Sequence, residues 1–106
     1  MGDKLGDAVY VGVLECDVLL GAVDSLKHKR AVVRPMLARL RRLDVAATEA
    51  GDPDRHRRAL IAVATVASDP AQVQRVLDTC ERQVVGEVEI EVLSTRRRVI
   101  GTHDEE

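Results

Sequence analysis

Between Ser25 and Leu43 the chain reads SLKHKRAVVRPMLARLRRL, which holds seven of its sixteen Lys and Arg residues and no acid. Cations at this density are suited to holding phosphate groups. If the stretch is a helix, about 100° of rotation per residue gathers Lys27, Arg30, Arg34 and Arg41 into an arc about 60° wide. Long basic side chains also make ordinary solvated helix surfaces. A surface serving stability alone would mix the signs, because like charges at i,i+4 repel and opposite ones attract. The stripe is therefore a candidate polyanion-binding surface, with Lys29 and the later run Arg96, Arg97 and Arg98 as further contributors.

Lys29 is anomalous, since the same projection places it within the apolar arc formed by Leu26, Val33, Met36, Leu37, Leu40 and Leu43. In the first turn of a helix, a snorkel past the end of the core is the simpler expectation. The alternative is a fixed ammonium held for a ligand or by a carboxylate such as Glu49 or Asp17. Pro35 removes one backbone hydrogen bond inside the same helix, which predicts a kink.

Other constellations are poorer. Asp52, Asp54 and His56, near Glu49, match no strong metal-ligand spacing. No Ser or Cys lies in a catalytic motif with a base, and no glycine loop could cradle phosphate. Glu15 and Asp17 could crowd Glu87, Glu89 and Glu91 across neighbouring strands, or be neutralised by Arg57, Arg58 or Arg96 to Arg98. Cys16 and Cys80 read as buried apolar thiols. We expect no catalytic residue, no metal and no cofactor.

The elements that carry these residues follow from periodicity. AVYVGVLECDVLL, from Ala8 to Leu20, is a Val-rich strand whose even positions are apolar apart from Gly12. Asp24 or Ser25 can cap the helix that follows, to about Leu43. Ala46 to Ala50 and Arg57 to Ser68 form a hairpin about the turn GDPD. Ser68, Asp69 and Pro70 open a second helix, with Gln72 completing a capping box and Gly86 ending it. EVEIEVL then alternates, with Val88, Ile90 and Val92 inward. The order is βαββαβ, the ferredoxin-like split βαβ of the α+β class: four antiparallel strands with two helices on one face and the first and third strands central.

A chain of 106 residues with 45% hydrophobic content and a net charge of −2 supports one core, over residues 8–100. Residues 1–7 are expected to be a flexible start and residues 101–106 a disordered acidic tail. No basic, apolar leader and no membrane-length apolar run is present, so a cytoplasmic protein with no membrane partner is expected. Tyr10 is the only aromatic residue, so base stacking of the kind used by RNA-recognition motifs is not expected despite the shared order of elements. Val9, Val11 and Val13 would lie on the sheet face opposite the helices. A patch of this kind predicts a homo-oligomer interface, unless the chain from Arg96 onward folds across it.

VGVLECDVLL, then SLKHKR, then Leu37, Arg39, Leu40, Arg41 and Leu43 to Val45, and finally RALIAVATVASD, together resemble the YlxP-like family of small uncharacterised bacterial proteins. The resemblance covers about residues 9 to 93. Leu43 stands where the family favours Phe, Asp44 where it favours Asn, and AATEAG is a looser fit. The resemblance implies a ferredoxin-like fold and no established activity. Genes of the family often neighbour those of transcription, translation-initiation and ribosome-maturation factors, which implies a partner in RNA or the ribosome. Two readings follow: a non-catalytic RNA- or ribosome-associated binding module, or a homodimeric interaction module that binds no nucleic acid.

Overall fold

A computed structural model describes residues 8–103. The elements in chain order are β1 (Tyr10–Leu20), α1 (Leu26–Arg41), β2 (Ala46–Ala50), β3 (Arg58–Ala67), α2 (Pro70–Val85) and β4 (Ile90–Gly101). They build one antiparallel sheet in the order β2-β3-β1-β4. This is the ferredoxin-like α+β arrangement expected from the pattern, with β1 and β3 central.

Alternation in β1 sorts its side chains into two environments. Leu14, Cys16, Val18 and Leu20 are fully buried beneath the helices, where Ile61 and Val63 of β3 join them. Met36 and Leu40 of α1, with Val73, Leu77, Cys80 and Val84 of α2, close the core from above. Burial pushes the Cys16 thiol up to about 11, with Glu81 adding to the shift. Tyr10 packs half-buried against this core. Gly12 occupies an inward position because α2 passes directly over it: a Cβ there would lie 2.2 Å from Val73 Cγ1 and 2.9 Å from Leu77 Cδ1.

The caps fall where their chemistry places them. Ser25 accepts a hydrogen bond from the His28 amide at 3.0 Å, and Asp69 accepts one from Ala71 at 2.9 Å, with Pro70 opening α2. Gln72 does not close the expected capping box; its Oε1 accepts from Arg75 instead. After α1, Asp44 takes φ 62°, a left-handed conformation that Asn, Asp and Gly adopt most readily. α1 runs unbroken through Pro35, which sits on the exposed side.

β4 departs furthest from expectation. Val88 is 94% exposed in a turn, and the strand starts at Ile90 and continues through the polar run Ser94 to Arg98. A register shift opposite Asp17 and Val18 leaves Leu93 as an extra residue, so the simple alternation of EVEIEVL breaks there. The same strand corrects the expected tail. Gly101 is buried at the end of β4, and the Thr102 amide donates to the Val9 carbonyl at 2.8 Å. Residues 1–7 and 104–106, parts of the expected flexible start and tail, lie outside the described residues.

Candidate nucleic-acid interface

α1 turns its apolar face to the core through Val32, Val33, Met36, Leu37 and Leu40, which leaves Lys27, Arg30, Arg34 and Arg41 exposed on the other side. Among the described residues, none of these four is within ion-pair distance of a carboxylate. Arg41 is oriented without being neutralised: its Nε and Nη2 donate to the Ala47 carbonyl at 3.1 and 2.8 Å. From Lys27 to Arg41 the stripe covers about 21 Å at 1.5 Å per residue.

The other candidate cations are differently placed. Lys29 is only 1% exposed and does not snorkel. Its ammonium donates to the carbonyls of Pro53 at 3.0 Å and Arg55 at 2.6 Å, and lies 2.7 Å from Glu49 Oε2. No aligned hydrogen bond reaches the Glu49 oxygen, so that contact is an ion pair. Of the two carboxylates weighed for Lys29, Glu49 is therefore the partner, and Lys29 is removed from the phosphate-facing set. It ties the β2–β3 loop to α1.

Nor does the run in β4 extend the stripe. Arg96 pairs with Glu15 on the sheet face opposite the helices. Arg97 turns the other way, toward α2, and binds Gln74, Asp78 and Glu81 at 2.8 to 2.9 Å. Arg98 stands opposite Val13 on the outer sheet face, away from α1. Alternation along a strand separates neighbours in sequence to opposite faces.

Of the two arrangements open to Glu15 and Asp17, neutralisation by arginines is the one found among the described residues. Asp17 is opposite Ser94 and Glu15 opposite Arg96, so the acids of residues 87–91 do not face them. Instead Arg58 grips Asp17 with two hydrogen bonds, at 3.2 and 2.7 Å, and these hold the Asp17 carboxyl below its ordinary range. Glu87 is taken by Arg39 of α1. In the hairpin loop, Asp52 accepts from the Asp54 amide at 3.0 Å, as a turn residue does. Among the described residues, no three His, Cys, Asp or Glu side chains are grouped to hold a metal ion.

What remains is a small α+β plait that carries one exposed cationic ridge on its first helix. The chain belongs to the family described as "Protein of unknown function (DUF503)", which matches residues 11–97. It is 31% identical over 87 residues to "Uncharacterized protein YlxP" of Bacillus subtilis (strain 168), covering 81% of this chain and 95% of that protein. The YlxP-like resemblance is thus confirmed. Among solved structures it is similar to a de novo designed protein, Foldit4, at TM-score 0.46 and 13% identity, over 90% of this chain and 96% of that one. No helix among the described residues is long and apolar enough to cross a membrane.

Proposed function

We propose that this protein is a non-catalytic, cytoplasmic RNA-binding module that holds sugar-phosphate backbone along the outer face of α1. The observation that carries the reading is a contrast in charge pairing. Arg39, Arg58, Arg96 and Arg97 each sit against carboxylates; other arginines such as Arg75 and Arg98 are also without one among the described residues, but only Lys27, Arg30, Arg34 and Arg41 are unpaired together along one exposed helix face. Four cations left together on one ridge repel each other in the absence of a polyanion. Binding one would relieve that repulsion and release condensed counterions.

Arg and Lys contacts to phosphate position a module without reading bases. With one aromatic residue, which packs against the core, the chain is equipped for backbone contact and not for stacking. The family's implied link to RNA and the ribosome favours structured RNA over DNA as the polyanion. Lys29 contributes indirectly by fixing the loop beside α1, and Arg96, Arg97 and Arg98 are not part of the ridge.

A salt titration with structured RNA tests the proposal. If the four side chains each neutralise a phosphate, affinity falls about 50- to 150-fold between 50 and 200 mM salt. Absence of binding at low salt, or binding indifferent to salt, contradicts it. Tighter binding to duplex DNA than to RNA at equal salt would reassign the polyanion.

A further inference from the structure

Both helices cover one face of the sheet, and the opposite face carries a patterned surface of its own. Register places Val11 between Val66 and Ile100, and Val13 between Ala64 and Arg98. Ala62 continues the patch toward Glu15. Val66 is 66% exposed and Ile100 42%. Residues 96–101 do not cover the patch, because they are themselves part of the edge strand β4. Beyond the apolar half, the face is charged but internally balanced: Asp17 is paired with Arg58, and Glu15 with Arg96.

We infer that this sheet face is the self-association surface of the protein, and that its occupant is the same face of a second copy. Three features select a copy over an unlike partner. The face is flat and built from Val, Ala and Ile, without the protruding aromatic anchors that dominate most hetero-interfaces. Two of its three arginines are paired within the chain, Arg58 with Asp17 and Arg96 with Glu15, which leaves Arg98 as its one arginine without a carboxylate among the described residues, so two such faces meet with little repulsion, whereas two four-cation α1 ridges could not.

Size is the third feature. Strand spacings of about 4.8 Å and rises of about 3.4 Å give the four strands, with β2 short, roughly 600 Å² in projection. The corrugated accessible surface exceeds its projection, which brings it near the ~800 Å² per partner of a standard interface.

Two sheets packed this way lie about 10 Å apart with interdigitated side chains. An isologous contact with its two-fold axis along the strands sets apolar half upon apolar half and the internally paired charged half upon its own copy, so the whole face is seated. The helices then form the outer layers of a four-layer particle, and the two α1 ridges point in opposite directions. The dimer is independent of the RNA reading. Where both hold, each particle can engage two RNA segments.

Analytical ultracentrifugation of the full chain between about 5 and about 200 μM protein, a range that spans micromolar self-affinities, tests the inference. Wild type is expected at twice the 11.6 kDa chain mass. Val66→Glu and Val11→Lys are each expected to halve that mass, while Val88→Glu, at a site exposed elsewhere, leaves it unchanged. Should Val11→Lys fail to fold, Val66→Glu alters a side chain that is already largely solvated and decides the matter. Higher salt does not dissociate an apolar contact, so the dimer persists where RNA is released. A monomeric wild type throughout, or a dimer unmoved by Val66→Glu, overturns the assignment. Arg30→Glu/Arg34→Glu is expected to stay dimeric, which separates failure of this inference from failure of the RNA reading.

Discussion

Lys29 of α1 and Glu49 of β2 form an ion pair, Nζ to Oε2 2.7 Å, that fastens the hairpin to the underside of the helix. Two loop carbonyls, of Pro53 and Arg55, take hydrogen bonds from the same ammonium. A lysine on the apolar arc is thus a structural tie, and the cations available to a polyanion lie on the opposite arc.

Replacing Lys29 with Met removes the charge but leaves Glu49 and both carbonyls without their partner. Breaking a buried pair on one side costs about 3 kcal/mol or more. We expect Lys29→Met to lose about that much stability in urea unfolding, and Lys29→Met/Glu49→Gln to recover part of the loss. Equal or greater stability of the single variant would contradict the tie.

Gly12 predicts a packing penalty. With Val73 Cγ1 at 2.2 Å from the position of a Cβ, Gly12→Ala forces α2 away from β1 and costs about 1–3 kcal/mol, the usual range for overpacking. Gly21, where a Cβ would meet its nearest atom, the Glu89 carbonyl oxygen, at 3.7 Å, serves as the control. Gly21→Ala should stay within about 0.5 kcal/mol of wild type. Thermal or urea unfolding of the two variants compares them directly.

The Asp17–Arg58 pair predicts an acid dependence. The hydrogen bonds from Arg58 lower the Asp17 pKa from 3.8 in the fold, so the unfolded chain takes up this proton first as pH falls. Stability from the pair is complete above 3.8 and is lost as pH falls through the lowered folded value. The stability difference between wild type and Asp17→Asn should be constant near neutrality and shrink in acid. A difference that grows as pH falls would reverse the sign and refute the pairing.

Legibility followed the strength of periodicity. β1, α1, β3 and α2 could be read because buried faces impose spacings of two or of three and four on Val, Leu and Ile. β4 could be read only in its first part, EVEIEVL, because its second half is an edge strand. Ser94 to Arg98 pair through the backbone while their side chains meet solvent or other polar groups, so no hydrophobic alternation marks them.

The same cause hid the fate of Arg96, Arg97 and Arg98. A run of like charges is one feature in sequence and three separate environments on a strand. Lys29 was legible as an anomaly from its helical angle, but its two carbonyl partners lie 24 and 26 residues away in an irregular loop, where no spacing rule applies. The α1 ridge was visible entire, since one helix supplies all of it.

Charge reversal on that ridge is the most direct measurement of the central claim. Fluorescence anisotropy with a structured RNA at low salt would compare Arg30→Glu/Arg34→Glu with a charge-matched pair placed off the ridge and off the outer sheet face, Arg75→Glu/Arg82→Glu. Binding should be lost in the first protein, while the second, with the same net charge, retains most of its affinity and the wild-type salt slope. Equal loss in both would mean that only total charge matters, and an unaffected ridge variant would place any RNA contact elsewhere.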